Sequence, residues 1–507
     1  MSIKETFLRD IQSGYHYKGD KIVLGKAKLN GEVLSDAEIL VALKTMNRHG
    51  LIAGATGTGK TKSLQILAEQ LSLKGIPSLL MDIKGDLSGI AAPGQENKAI
   101  TERQRVLEMD YTPMGAPVEF LSLSHEPGAR LRATVTEFGP ILFSKILELN
   151  DTQTGIISIV FKYCDDKGYP LLDLKDIREA LRYLSDDDSG KQELASTYGN
   201  ISKASLGTIL RKIVTLEQQG ADLFFGEPSF EVNDLVKTRD GKGIVNIIRL
   251  TDIQNRPSLF STFMMSLLAE IYESFPETGD PDKPKLVIFI DEAHLIFKEA
   301  SKTLLDQMET MVKLIRSKGV GLFFCTQVPG DIPDGVLGQL GLKIQHALRG
   351  FTAKDRKQIQ KAVENYPITS YYKADEVITQ LGIGEAFVTA LNEKGIPTPL
   401  AYTYMRAPLS RMDILSETEI ETIIRKSELA EKYSQEIDRE SAYEILSKRL
   451  KTEENAGPVQ SKKPSGRTKK EKSVFETIIT DSTTKSFIRT IGNQIIRGLF
   501  GKTIKRR

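Results

Sequence analysis

Cysteine is nearly missing from the 507-residue chain, which has only Cys164 and Cys325. Two thiols cannot build a disulfide framework or a cysteine zinc cluster, so a reducing compartment is expected. Long apolar runs are missing as well. No stretch approaches the roughly 18 residues that a membrane span needs, and no apolar signal segment opens the chain. A cytoplasmic protein without a transmembrane segment is expected. A strong charge of either sign is also absent, the net being +2. The balance is uneven, because residues 451–507 carry 14 Lys and Arg against 5 Asp and Glu. A basic tail on a mildly acidic body points to an anionic partner for the tail, a nucleic acid or an anionic membrane surface. The length exceeds what one simple core covers, so several domains or one large decorated domain are expected.

What is present is phosphate-binding chemistry. Gly54-Ala55-Thr56-Gly57-Thr58-Gly59-Lys60-Thr61 fits G-x-x-x-x-G-K-[ST] at every fixed position. The three glycines let successive N–H groups curl around an anion. Lys60 is placed to reach the β- and γ-phosphates, and the Thr61 hydroxyl to ligate Mg²⁺. Leu51-Ile52-Ala53 supplies the strand before the loop, and residues 63–73 the helix after it. Residues 54–62, including Lys62, are therefore the candidate nucleotide contacts. The next apolar run, 78–83, reads as a strand buried on both faces. It ends in Asp82-Ile83-Lys84-Gly85-Asp86, on the edge where open α/β sheets bind ligands. There Asp82 and Asp86 either help position Mg²⁺ and water or cap the following helix. Arg48 and His49, just before the loop strand, either lie near the nucleotide or cap a solvent-facing strand end.

Leu286-Val287-Ile288-Phe289-Ile290 runs into Asp291-Glu292-Ala293-His294. An apolar strand ending in two acids is the second nucleotide motif: Asp291 holds the Mg²⁺ shell and Glu292 polarises the attacking water. The second acid is what a hydrolase needs and a simple binder does not. His294 either relays to a partner or packs. Another buried strand, 322–326, ends at Gln327, in the position of a γ-phosphate sensor. Arg349, at the end of strand 342–349, is the candidate arginine finger, preferred over Arg356. The chain divides into a lead-in, 1–46, and the first part of the core, 47–92. A mostly helical insertion, 93–242, precedes the second part of the core, 243–408. A charged helical region (409–450), a basic linker (451–473) and a basic amphipathic helix (474–507) close it, and that last helix either docks on its own core or a neighbouring subunit or meets DNA or an anionic membrane surface. Within these, 37–43 reads as a helical turn, 186–188 as a solvated acidic turn, and 396–405 as an edge strand.

Taken together, RHGLIAGATGTGKT (48–61), DIKGDLSG (82–89), FIDEAH (289–294), FFCTQVPGDIP (323–333) and IQHALRGFT (344–352) resemble the bacterial YjgR-like proteins of the HerA/FtsK superfamily. The resemblance implies an α/β, RecA-like P-loop core of the additional-strand, catalytic-glutamate class, with one strand between the P-loop strand and the Asp291 strand. It implies ATP and Mg²⁺ as ligands and a hexameric ring with nucleotide between subunits, where Arg349 acts in trans. Lys343 stands where an arginine is expected, which favours Arg349. Residues 1–46 are too few for the N-terminal barrel of HerA helicases. The reading is an Mg²⁺-dependent motor ATPase acting on DNA. Its rival is an ATP-driven switch or assembly scaffold with a protein client, since the core carries no basic, aromatic-interleaved stripe.

Overall fold

The computed structural model describes residues 2–455 except 200, 254–256, 299–301, 351, 436 and 438. The expected terminal helix and most of the linker lie outside the described residues. The strands are β1 (Lys21–Leu29), β2 (Glu32–Ala42), β3 (Gly50–Ala53), β4 (Ser78–Asp82), β5 (Val118–Ser122), β6 (Ala129–Arg130), β7 (Thr238–Arg239), β8 (Lys242–Gly243), β9 (Val245–Arg249), β10 (Leu286–Ile290), β11 (Val320–Thr326), β12 (Leu342–Gln345), β13 (Glu385–Thr389) and β14 (Ala401–Met405). Twelve of them form one sheet in the order β2-β1-β14-β13-β12-β3-β11-β10-β4-β9-β5-β6, and β7 and β8 pair separately. Every neighbouring pair from β12 through β6 is parallel. Every pair from β12 outward to β2 is antiparallel.

The parallel half is the nucleotide-binding core. β3, β4, β10 and β11 are buried at every residue, so their sequences run apolar without alternation. β11 lies between β3 and β10, with Phe324 opposite both Leu51 and Ile290. This is the additional-strand order, and the fold class is an α/β RecA-like P-loop core. Because the strands are parallel, the loops after β3, β4, β10 and β11 emerge on one edge.

Several elements differ from the sequence expectation. Residues 37–43 are not a helical turn; 37–42 belong to β2, joined to β1 by Asn30 and Gly31 at φ 50° and 86°. That pair forms a two-residue left-handed hairpin turn, which holds the chain in an extended ladder. β14 is no edge strand, since β13 and β1 flank it; Pro397 and Pro399 precede its first residue. The insertion begins later than residue 93, because the Lys98–Leu107 helix, β5 and β6 belong to the sheet-bearing unit. Of the three acids at 186–188, Asp186 and Asp188 are exposed, as expected, while the half-buried Asp187 carboxylate accepts from Gly190 N–H and caps the Asp188–Thr197 helix.

The chain divides into two compact units. One comprises 2–130 and 231–434 and carries the whole sheet; the other comprises 131–230 and the described residues from 435 on. The second unit is helical, built from Val135–Ile146, Asp151–Lys167, Leu174–Asp186, Asp188–Thr197, Lys203–Gln218 and Ala442–Asn455. Within it the Ala442–Asn455 helix packs on Leu174–Asp186, and Ser441 Oγ and Tyr443 N–H donate to the buried Asp176 carboxylate. The charged region 409–450 is thus shared out, its first two helices lying in the sheet-bearing unit. Among the described residues no helix is long and apolar enough to cross a membrane.

Candidate nucleotide site

The loop after β3 is pinned from both sides. Gly54 N–H donates to Thr326 O at 3.2 Å and Ala55 N–H to Ala347 O at 2.8 Å, tying the loop to the last residue of β11 and to the chain just beyond β12. Thr58 Oγ1 donates to Ala55 O at 2.7 Å. Gly54 and Gly59 have φ of 153° and 116°, and a Cβ on Gly54 would stand 2.5 Å from the Cβ of His346. Glycine is required there by backbone and by space. Gly59 caps the Lys60–Leu73 helix, so its first-turn N–H groups open toward the loop. Lys60 folds back across this cradle, donating to Gly54 O at 2.7 Å and Ala55 O at 3.2 Å. Burial and then the nearby Lys84 lower its pKa. Thr56 and Gly57 are exposed at the loop tip. The Lys62 side chain donates to Met412 O, so only its backbone is left as a candidate nucleotide contact.

His346 supports the loop from beneath and was not singled out in the sequence. Its Nδ1–H donates to Glu385 O at 2.9 Å and its Nε2 pairs with Ser63 Oγ at 2.8 Å, accepting from the hydroxyl when the ring is neutral. Complete burial holds its pKa down to about 4. His49 is a second neutral, buried histidine, pushed down to about 4 by burial. It lies at the opposite end of β3 from the loop: Leu322 N–H donates to its Nδ1 and its Nε2–H donates to Val312 O. It therefore joins strand to helix and does not approach the nucleotide loop.

β4 and β10 pair in parallel with Met81 opposite Ile290, which sets Asp82 beside Asp291. The two readings of the first acids divide between them. Asp82 accepts from Gly85, Asp86 and Leu87 N–H at 2.7, 3.1 and 3.1 Å and so fixes the turn; burial nevertheless raises its pKa to about 6. Asp86, carried on that turn, accepts from Thr61 Oγ1 at 3.2 Å. Asp291 is 4% exposed, and burial followed by the Glu292 charge pushes its carboxyl up to about 7. Asp86 Oδ1 and Asp291 Oδ2 are buried without a hydrogen-bond partner. Orphaned carboxylate oxygens beside a threonine hydroxyl fit a hard divalent cation. Among the described residues no three His, Cys, Asp or Glu side chains form a cluster that could hold a metal ion.

Glu292 takes a left-handed backbone, φ 46°, costly for a non-glycine residue. Its carboxylate is paired with Lys84 through Oε1, and His294 Nδ1 lies 3.0 Å from Oε2. Burial works against the Lys84 charge, but Glu292 and Asp291 outweigh it and raise its pKa.

Gln327 is exposed just beyond β11, on a turn that Asp331 fixes by accepting from Thr326 Oγ1 and Val328 N–H at 2.6 and 3.2 Å. It lines a cleft of about 350 Å³ together with Ala55, His294, Arg349 and the flank of the Ala353–Glu364 helix. The structure corrects the arginine's place in the fold: Arg349 lies on the exposed loop four residues beyond β12, not at its end, and lines the same cleft as Ala55. Lys343 is half-buried and donates to Asn365 O at 3.0 Å, away from the loop edge.

Comparison with known proteins agrees with this geometry. The Helicase HerA-like C-terminal family matches residues 27–507. The DNA double-strand break repair helicase HerA of Sulfolobus acidocaldarius is 20% identical over 393 residues, 77% of this chain and 71% of that protein. Its counterpart from Sulfurisphaera tokodaii is 23% identical over 350 residues, 67% of this chain but 63% of that protein. Among solved structures, the bacterial conjugative coupling protein TrwBΔN70 superposes with a TM-score of 0.50 at 14% identity, over 80% of this chain and 93% of that one, a likeness of fold. The family match spans the sheet and both nucleotide motifs: the chain belongs to the HerA-like helicase C-terminal family, within the HerA/FtsK superfamily of ATPases.

Proposed function

We propose that the chain is an Mg²⁺-dependent ATPase that works as a homo-hexameric motor on duplex DNA. One observation carries the hydrolytic part: Thr61, Asp86, Asp291 and Glu292 converge beside Lys60 on one sheet edge. The P-loop amides and Lys60 bind the phosphates. Thr61 and Asp291, with Asp86, would hold Mg²⁺, whose role when bound is to neutralise charge on the β- and γ-phosphates. Glu292 takes the proton of the attacking water. Gln327 senses the γ-phosphate from the cleft it lines with Ala55, and Arg349 adds positive charge there. The DNA part is supported by the relatives, HerA helicases and the DNA import protein CedB of Sulfolobus acidocaldarius, and by the basic tail.

Phosphate release and particle mass, measured together on the wild type and Glu292→Gln, test this reading. The wild type is expected to turn over Mg²⁺-ATP, and the variant to bind ATP equally well while hydrolysing at least about 10²-fold more slowly. Trapped with ATP, the variant should run as six copies. Equal hydrolysis by both proteins overturns the assignment of Glu292, and a monomer with and without ATP overturns the ring.

A further inference from the structure

Lys84 has no role in the reading above, yet it makes the closest contact to the residue on which hydrolysis depends. It belongs to the turn after β4, not to either nucleotide motif. The Asp82 carboxylate accepts three successive backbone N–H groups across that turn, so Lys84 stands on a platform with little freedom. Two residues on, Asp86 accepts from Thr61. One short turn therefore touches both the hydroxyl assigned to the cation and the carboxylate assigned to the water.

On the other side, Glu292 is held at two points. Its backbone is left-handed and its Oε1 meets the Lys84 ammonium, while His294 Nδ1 lies 3.0 Å from Oε2 without a hydrogen bond between them. The acid is buried while Lys84 is partly open, so the lysine reaches inward to it. A carboxylate on three rotatable bonds loses catalytic power when its orientation drifts, and a misplacement of about 1 Å costs on the order of 10²-fold in rate.

We propose that Lys84 is a positioning residue for Glu292: its ammonium, paired with one carboxylate oxygen, fixes the group that activates water. The inference rests on the ATPase reading, and the following comparison separates the two. Hydrolysis and affinity for a fluorescent ATP analogue are measured for the wild type, Lys84→Met, Lys84→Arg, Glu292→Gln and the double variant Lys84→Met with Glu292→Gln, using single turnovers for the slow proteins. Lys84→Met is expected to lower kcat about tenfold or more while nucleotide affinity stays within about twofold, which also shows that it is folded. Lys84→Arg, which keeps the charge, should recover most of the loss. In the Glu292→Gln background the Met substitution should add less than about twofold, because its effect passes through Glu292.

Three results overturn the inference while leaving the ATPase intact: Lys84→Met hydrolysing like the wild type, its loss appearing as weakened ATP binding, or losses that multiply in the double variant. A wild type that binds ATP and never releases phosphate sinks the ATPase reading and the inference with it.

Discussion

At the scale of single residues, burial decides which groups carry charge. Asp291 and Asp82 are acids kept in a dry edge of the sheet, and burial raises both toward neutrality. His49 and His346 are bases kept neutral by the same cause. His49 has a measurable consequence. Its folded pKa of about 4 lies below the ordinary 6.5, so in that window the unfolded chain takes up a proton that the folded ring refuses. Stability is fully present above pH 6.5 and falls as the pH drops from 6.5 toward 4, by at most about 3 kcal/mol from this ring. Denaturant titrations between pH 4 and 7.5 should show that slope, and His49→Gln should flatten it by about one proton; an unchanged slope contradicts the neutral assignment. Residue identities in the motifs were legible in the sequence because each fixed position has one chemical use. Lys84 and His346 were not, since their partners Glu292 and Ser63 lie more than 200 residues away. The position of Lys84 just past a buried strand's C-terminal end was the available signal.

At the scale of elements, the turn between β4 and the next segment holds the site together, and its two acids divide structure from function. Asp82→Ala strands three N–H groups that now share one carboxylate, and the unfolding free energy should drop by about 2–4 kcal/mol. Asp86→Ala should leave stability within about 1 kcal/mol, and raise the Mg²⁺ concentration for half-maximal hydrolysis about tenfold. Chemical denaturation and an Mg²⁺ titration read the two effects; the reverse pattern would exchange the roles. Uninterrupted apolar runs made β3, β4, β10 and β11 readable, because a strand covered on both faces has no polar side to confuse it. β2 was misread. Its burial alternates irregularly, and register slips between Val23 and Gly25 and between Lys26 and Lys28 on its partner β1 leave no clean period of two. The loop carrying Arg349 was placed too close to its strand for a related reason: Ala347 and Leu348 are buried, so the apolar run outlasts the ladder.

At the scale of the whole molecule, a sheet-bearing unit with the nucleotide loop accompanies a helical unit to which the chain returns after residue 434. That return was not legible, because composition marks where helices form and not which earlier helix they pack against. What the energy of ATP does is decided by the client. The most direct measurement is the steady-state rate of ATP hydrolysis by the full chain with and without duplex DNA, at about 50 mM and about 200 mM salt. A DNA motor is expected to hydrolyse faster with the duplex and to lose most of that stimulation at the higher salt, as phosphate contacts are screened and counterions compete. Hydrolysis that proceeds at one rate with and without DNA at both salts would contradict the motor and move the function to a protein client.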